Sequence, residues 1–138
     1  MTALPYILLP DEELPDAGSG VKASAESTGG VLTLIDSRTS GGAPMHVHEN
    51  EDECFYVVEG TIQVWTKDDE YEAPVGAFVF LPRGTQHAWD VVGERARVLI
   101  ITVPGGFERF LREFHEAAPH EQSDVALRYG IRFIPETD

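Results

Sequence analysis

Hydrophobic residues recur along the middle of the chain in short runs that are separated by turn residues. Between about residues 22 and 103 these runs are "GVLTLIDSRT", "CFYVVEG", "TIQVWTK", "AFVFLP", "HAWDVV" and "RARVLIITV". Each run is rich in β-branched or aromatic residues and is bounded by glycine, proline or charged residues, as is typical of β-strands. Many short strands with turns between them predict an antiparallel sandwich or barrel.

Several connections between these strands can also be predicted. The runs "CFYVVEG" and "TIQVWTK" flank Glu59 and Gly60, which predicts a hairpin at that point. "DDEYEAP" predicts a turn followed by a short strand, and "HAWDVV" and "RARVLIITV" are interpreted as two separate strands. Pro82 and Gly84 predict a tight turn, after which a strand restarts at about Gln86.

The N-terminal stretch has a different pattern. Residues 1–20 are rich in Pro, Asp and Glu around one short apolar run, "YILLP". Proline cannot donate a hydrogen bond to a neighbouring strand and is found mainly at sheet edges. The pattern therefore predicts an arm over residues 1–21 that contains one edge strand and is available to pack on a partner subunit.

The C-terminal stretch has a helical pattern. Phe107, Phe110, Leu111 and Phe114 recur at helical spacing, which predicts a helix that packs on the barrel and stops before Pro119. "SDVALRYG" predicts a second short helix, with Ser123 at its N-cap and Gly130 just past its end. We therefore expect a single domain with an arm (1–21), a barrel (22–103) and C-terminal helices with a tail (104–138).

Composition narrows the range of partners. The 138 residues include 10 Lys and Arg but 24 Asp and Glu, a net charge of -14. Such a chain lacks the basic surface that binds nucleic-acid phosphates or anionic membranes, so we expect neither partner. One cysteine cannot form an internal disulfide, and no signal-peptide pattern or membrane-length apolar stretch is present. The expected location is the cytoplasm.

The stretch "PMHVHENEDE" contains two histidines one residue apart. Side chains alternate between the two faces of a strand, so His46 and His48 are expected to point the same way. Two imidazoles in this arrangement can bind one metal ion, and histidine is a common ligand of Zn, Cu, Fe and Ni. The stretch therefore predicts half of a metal site.

An acidic residue from the same stretch could complete the site. Strict alternation favours Asp52, which has the same parity as the two histidines. A turn at Glu49 and Asn50 would break the alternation and present Glu53 instead. The pattern alone leaves Asp52 and Glu53 open. A further candidate is His87, which follows the predicted turn and is well placed to face into a barrel at its rim.

These residues form two patterns that resemble the two motifs of the cupin family. The first has two histidines, a glutamate and a glycine at the spacing of His46, His48, Glu53 and Gly60. The second has the spacing of Gly76, Pro82, Gly84 and His87. The chain resembles small single-domain bacterial cupins of the quercetin dioxygenase type most, and its C-terminal segment is similar to theirs.

The resemblance implies an all-β fold, an antiparallel double-stranded β-helix (the cupin or jelly-roll barrel) with a short helical C-terminal cover. It implies one divalent transition metal per chain (Fe, Ni, Mn, Co or Zn) held by His46, His48, Glu53 and His87. It thereby favours Glu53 over Asp52 as the acidic ligand, and Glu53 is also the candidate catalytic base. Positions left open on the ion would accept water, substrate or dioxygen.

Residues near this expected site are assigned provisional roles. If Glu53 and His87 face inward, Phe55 and Trp89 do too, and both are candidates for the pocket wall. Gln86 and Arg38 are candidate polar pocket residues. The neighbouring acidic residues Glu49, Glu51 and Asp52 are interpreted as a solvated turn. Cys54 is interpreted as a small buried hydrophobic residue that faces away from the metal.

The resemblance further implies an enzyme that acts on a small oxygen-bearing organic molecule. A quercetinase-like dioxygenase of an enol, flavonol or other aromatic substrate is the first hypothesis. The alternatives are a redox-free polyketide cyclase or isomerase that uses Zn, and a cupin that binds a small molecule without turnover. The proline-bearing arm and the outward apolar residues Val58 and Cys54 predict a homodimer.

Overall fold

The structure is a computed structural model that describes residues 3–136. Within these residues it contains eight strands, two α-helices and one turn of 3-10 helix at Pro119–Glu121. The strands are β1 Val21–Ala23, β2 Thr33–Thr39, β3 Ala43–His48, β4 Asp52–Thr66, β5 Glu70–Ala73, β6 Phe78–Leu81, β7 His87–Val103 and β8 Ile131–Phe133. The helices are α1 Phe107–Glu116 and α2 Gln122–Arg128.

Two long strands, β4 and β7, organise the barrel, and every strand pair is antiparallel. The C-terminal half of β7 pairs with β2 and its N-terminal half pairs with β3. β4 pairs with β7 along most of its length, with β6 at its first half and with β5 at its second. One face therefore has the order β1-β2-β7-β4-β6, and the other has the order β8-β3-β7-β4-β5. The predicted all-β antiparallel architecture with a short helical cover is confirmed.

Both faces contribute side chains to one apolar core. Its buried residues come from both halves of each long strand and from β5 and β6: Phe55, Val57, Ile62, Val64, Ala73, Leu81, Trp89, Ala96 and Val98. Inward residues alternate with outward ones along each half-strand, as expected for a sheet that is buried on one side. The two faces therefore enclose a common interior.

The predicted hairpin at Glu59 and Gly60 is wrong, because β4 runs through this point without reversing. The register between β4 and β7 shifts at this point: Glu59 lies opposite Arg97, and Thr61 lies opposite Val92. The chain advances two residues on β4 but five residues on β7 over this stretch. Gly60 has φ 77°, a conformation that suits glycine, and the strand bends there instead of turning back. For the same reason the two predicted strands "HAWDVV" and "RARVLIITV" are one strand, β7.

The C-terminal segment forms a cover with its own apolar cluster. Phe107 and Phe110 of α1 pack with Val125 and Ala126 of α2, and with Ile131 of β8. Both predicted helices are present, and Gly130, with φ 73°, lies just past α2 as expected. The tail then pairs with β3 as strand β8, which the sequence pattern had not indicated.

Two predictions about the ends of the elements need correction. Ser123 lies inside α2 and not at its N-cap, which is Glu121 and makes no side-chain capping bond. The 3-10 turn that begins at Pro119 leads directly into α2, so the helix starts before the serine. The arm contains no strand within residues 3–20. It is held instead by individual bonds, such as the Tyr6 hydroxyl to the Lys22 carbonyl oxygen at 2.7 Å.

No helix within residues 3–136 is both long enough and apolar enough to cross a membrane.

The bend at Gly60 supplies a test of the fold. A Cβ atom at Gly60 would lie 2.7 Å from the Arg95 carbonyl oxygen, whereas a Cβ at Gly93, which also has positive φ, meets nothing within 4 Å. Gly93→Ala therefore adds only backbone strain of about 1–2 kcal/mol. Gly60→Ala adds that strain and a clash of about 1–3 kcal/mol. Urea unfolding should show the larger loss of stability for Gly60→Ala; equal losses would contradict the tight bend.

Candidate metal centre

Four side chains converge in the interior of the barrel. His46, His48, Glu53 and His87 each offer one nitrogen or oxygen atom, and these four atoms all lie within 4.8 Å of one another. All four residues are buried. Buried polar groups at this density need partners, because an unpaired polar or charged group is costly away from water.

The bend of the long strands brings these residues together. Glu53 lies at the start of β4 and His87 at the start of β7, and in the ladder between the two strands His87 pairs with Thr66. A straight strand from Glu53 to Thr66 would extend about 40 Å, at about 3.3 Å per residue. The observed distance from Glu53 Oε1 to His87 Nε2 is 2.9 Å. The ribbon must therefore fold back on itself to form the site.

β3 supplies the other two ligand candidates. His46 lies opposite His87 in the pairing of β3 with β7, so their imidazole rings share the interior face, with centroids 4.3 Å apart. His48 follows on the same face two residues later, as alternation predicts. The Nε2 atoms of His46 and His48 are 3.1 Å apart, and His48 Nε2 is 3.7 Å from Glu53 Oε1.

The other ring nitrogen of each histidine is held by an acceptor. His46 Nδ1 donates to the Pro44 carbonyl oxygen at 2.6 Å, and His87 Nδ1 donates to the Thr85 carbonyl oxygen at 3.1 Å. His48 Nδ1 donates to Glu51 Oε1 at 2.8 Å. Because each Nδ1 atom donates to an acceptor, each Nε2 atom points at the centre, where its lone pair is available to a metal ion once any proton on Nε2 has left.

The electrostatics of the site suit ligation. Burial and the neighbouring charge of His87 lower the pKa of His46 to about 4, so this ring is neutral at neutral pH. Burial tends to raise the pKa of Glu53, but the hydrogen bond from His87 and the nearby histidine charges outweigh it and keep that pKa below its usual value. A neutral imidazole and an ionised carboxylate are the forms that bind metals.

His48 differs from His46 because it has a carboxylate partner. Burial lowers its pKa, but the hydrogen bond to Glu51 and the charges of Glu53 and Glu51 raise it more, so the net shift is upward. The interpretation of Glu51 as part of a solvated turn is therefore wrong. Its side chain is only 12 % exposed and it orients a candidate ligand. The signal for this role was the three-residue spacing from His48 across a turn.

The structure separates the two acidic candidates that the pattern had left open. Glu53 faces the interior, whereas Asp52 points outward and forms an ion pair with Arg83, at 3.1 Å between Asp52 Oδ1 and Arg83 Nε. The residues between β3 and β4 break the strand alternation. Inward-facing side chains such as His46 and His48 are therefore at even-numbered positions on β3, whereas those at the start of β4 are at odd-numbered positions. Cys54 accordingly has the opposite parity to Glu53, and it is half-buried rather than buried as expected.

The four candidate pocket residues lie in different places. Phe55 is fully buried, and its ring packs against Trp89 with centroids 5.3 Å apart, so both belong to the core below the site. Gln86 lines a surface cleft together with Trp89. Arg38 is on β2, opposite Arg97 of β7, and forms a 3.8 Å ion pair with Asp11. The structure therefore does not bring Arg38 to the four converging side chains.

The C-terminal segment places two aromatic rings near the histidines: Phe107, which the sequence analysis had assigned only to packing, and Phe133 of β8, to which it had given no role. The Phe107 ring lies 5.5 Å from the His48 ring, and the Phe133 ring lies 6.3 Å from the His46 ring, between centroids. Phe133 is opposite His46 in the pairing of β8 with β3. Because this pairing joins distant parts of the chain, no local pattern indicated it.

The donor set fits a divalent transition metal. Two ligands that are each about 2.1 Å from an ion and at right angles to each other lie about 3 Å apart. The observed separations of 3.1 Å for His46 and His48 and 2.9 Å for His87 and Glu53 agree with this spacing. Two Nε2 atoms that face each other at the distance of His46 and His48 need a proton or a metal ion between them, because two lone pairs would repel.

Comparisons with known proteins agree with this geometry. The sequence model of the cupin domain family matches residues 34–104, just over half of the chain. A quercetin 2,3-dioxygenase of Bacillus subtilis is 29% identical over 116 residues, which cover 80% of this chain and 34% of that protein. The match thus spans about a third of the length of this curated relative.

Solved structures show the same fold. KdgF from Halomonas sp. superposes with a TM-score of 0.57 at 20% identity, over 64% of this chain and 79% of that one. A protein with a cupin-2 domain from Shewanella frigidimarina superposes with a TM-score of 0.50 at 26% identity, over 59% and 74%. With its bent antiparallel barrel, its convergent histidines and glutamate and this family match, the chain belongs to the cupin family.

Proposed function

We propose that this cupin is a metal-dependent enzyme that acts on a small oxygen-bearing organic molecule, with quercetinase-like dioxygenase chemistry as the favoured activity. The observation that carries the proposal is the convergence of four buried donor atoms within 4.8 Å. The similarity to a quercetin 2,3-dioxygenase supports the choice of reaction. The match covers only 34% of that enzyme, so its activity is a proposal for this chain.

In this proposal His46, His48, His87 and Glu53 hold one divalent ion from the series Fe, Ni, Mn, Co and Zn. A bound ion would polarise a hydroxyl or enol oxygen of the substrate and, if redox-active, would support reaction with dioxygen. The protein's part is to keep the three Nε2 lone pairs and the Glu53 carboxylate directed at one point. The hydrogen bonds on the Nδ1 atoms maintain this orientation.

Glu53 is also the candidate general base. Its pKa is held below the usual value, so the carboxylate is ionised and can accept a proton from a substrate hydroxyl that lies beside it. Phe107 and Phe133, which lie near the histidine rings, would exclude water and offer apolar surface to a planar substrate. The site therefore combines a charged centre with an apolar wall.

We further propose that the chain forms a homodimer through the outer face of the sheet that contains β6. One row of this face consists of Leu34, Ile101, Cys54 and Phe80, in neighbouring strands. Phe78, on the next row, is 62% exposed and Phe80 is 56% exposed. Charges at the border are paired, as between Arg97 and Asp36 at 2.7 Å. For a chain of charge -14, such a neutral face is where two copies can meet.

The metal proposal is tested by elemental analysis of untagged protein that has received no added metal. We expect about one divalent metal ion per chain in the wild type and a loss of most of it in His48→Ala. His120→Ala, in which an exposed histidine is removed, is the matched control and should keep the metal. No metal in the wild type even after loading, with the fold intact, would overturn the metal centre.

The identity of the metal then tests the reaction class. With Fe, Ni, Mn or Co we expect oxygen uptake with flavonols or related enols, lost in Glu53→Gln, because the base and ligand are removed together. Zn without oxygen uptake would contradict the dioxygenase and favour a redox-free cyclase or isomerase. Metal bound without turnover of any enol tested would favour a binding protein.

Glu51 supplies a second prediction about the centre. Glu51→Gln removes the carboxylate that accepts from His48 Nδ1 and should weaken metal binding by about 10-fold or more. Glu49→Gln, in the same loop, removes a half-exposed carboxylate that pairs with Arg132 and should leave metal affinity unchanged. Competition with a chromogenic chelator measures both. Equal affinities in the two variants would show that Glu51 does not support the ligand.

The dimer is tested by light scattering at micromolar concentration. We expect a wild-type mass of twice 15.2 kDa, and a shift towards monomer in Phe78→Ser because the variant loses apolar contact area. Tyr71→Ser is the control, since Tyr71 is also exposed but lies on β5, which belongs to the other sheet of the barrel. A monomeric wild type would contradict the proposed homodimer.

A further inference from the structure

A row of polar side chains crosses the interior from the metal centre to the helical cover. Glu53 on β4 lies opposite Thr102 on β7, and Thr102 lies opposite Thr33 on β2. Directly opposed residues of antiparallel strands have side chains on the same face, about 5 Å apart at Cβ. Thr33 Oγ1 donates to Glu108 Oε1 of α1 at 2.6 Å. The row therefore connects Glu53 to the start of the cover.

Thr102 is the exception in this row. Its side chain is fully buried, and among the residues that the structure describes its Oγ1 is the buried side-chain atom that has no hydrogen-bond partner. Its neighbours Glu53 and Thr33 both make hydrogen bonds. A buried hydroxyl without a partner destabilises a folded protein, so such a group calls for an explanation.

Two acceptors flank the Thr102 hydroxyl. The Thr33 hydroxyl already donates to Glu108 and accepts from the Gly106 backbone N–H at 3.0 Å, so one of its lone pairs remains. The Glu53 carboxylate can only accept, and a hydrogen bond to a charged acceptor is about twice as strong as one between neutral groups. Glu53 is therefore the stronger acceptor for Thr102.

Metal binding would change the bonding of Glu53. In the structure Glu53 Oε1 lies 2.9 Å from His87 Nε2 and accepts from it. A nitrogen whose lone pair ligates a metal ion cannot at the same time donate to a carboxylate. When His87 acts as a ligand, Glu53 therefore loses this donor, and the Thr102 hydroxyl is the free donor on the same face.

We infer that Thr102 is a positioning residue for Glu53: its hydroxyl donates to the Glu53 carboxylate when a metal ion is bound. The inference deepens the proposed function and rests on the proposed metal centre. It explains why a hydroxyl is present at a fully buried position beside apolar residues such as Leu81, which flanks Glu53 on its other side. The hydroxyl destabilises the metal-free protein and stabilises the loaded centre.

The test is to replace Thr102 with residues that differ in the hydroxyl. Thr102→Val keeps the shape and removes the hydroxyl, and Thr102→Ser keeps the hydroxyl. We expect Thr102→Val to raise the Tm of the metal-free protein, since it removes an unpaired polar atom. It should also weaken metal binding by about 10-fold, and Thr102→Ser should restore binding. A change of Tm alone, with metal affinity unchanged, would overturn the inference.

Thr33→Val is the matched control in the same row. It removes the bond to Glu108, so it should lower the Tm of the metal-free protein and leave metal affinity within about twofold of wild type. If Thr33→Val weakened metal binding as much as Thr102→Val, the effect would be a general disturbance of the row, and the positioning role would be refuted.

A background that lacks the carboxylate shows whether Thr102 acts through Glu53. In Glu53→Ala the further change Thr102→Val should leave metal affinity unchanged, because the acceptor is gone. A second 10-fold loss in that background would overturn the role. If the wild type binds metal and Thr102→Val binds it equally tightly, this inference alone is refuted. Wild type that binds no metal would refute the metal centre and this inference together.

Discussion

The bend of the β4–β7 ribbon is the constraint on which the rest of the structure depends. The two strands pair over most of their length, yet the starts of both must meet so that Glu53 and His87 come within 2.9 Å. Only a ribbon that folds over can satisfy both conditions. The extra residues on β7 opposite Glu59 to Thr61, and the positive φ of Gly60, make this fold possible.

Once the ribbon is folded, its interior has two chemically different zones. One zone is the apolar core around Phe55 and Trp89, which supplies most of the burial that stabilises the barrel. The other is the polar cluster at the mouth, where three imidazoles and a carboxylate face one another. The cover closes this mouth with Phe107 and with strand β8, so the polar cluster is buried although it lies near the end of the barrel.

Groups around the polar cluster each accept a hydrogen bond from one histidine Nδ1 atom and so hold the rings in place. Backbone carbonyls of Pro44 and Thr85 and the carboxylate of Glu51 hold the outer nitrogens, and the loop that carries Glu51 is itself anchored to the tail by the Glu49 N–H bond to the Gly130 carbonyl oxygen at 2.7 Å. The tail therefore contributes to the orientation of the candidate ligands without supplying one. This coupling links the stability of the cover to the candidate metal centre.

The sequence by itself determined the strand-rich architecture, the two helices and the parity of His46 and His48, because each follows from a local period of two or 3.6 residues. With the resemblance to cupins it also indicated His87 and Glu53. Only the tertiary structure decided that Glu59 and Gly60 form a bend, that Glu51 supports His48, that β8 completes the sheet, and that Thr102 lies beside Glu53. These features depend on contacts between segments far apart in the chain, which local periodicity does not encode.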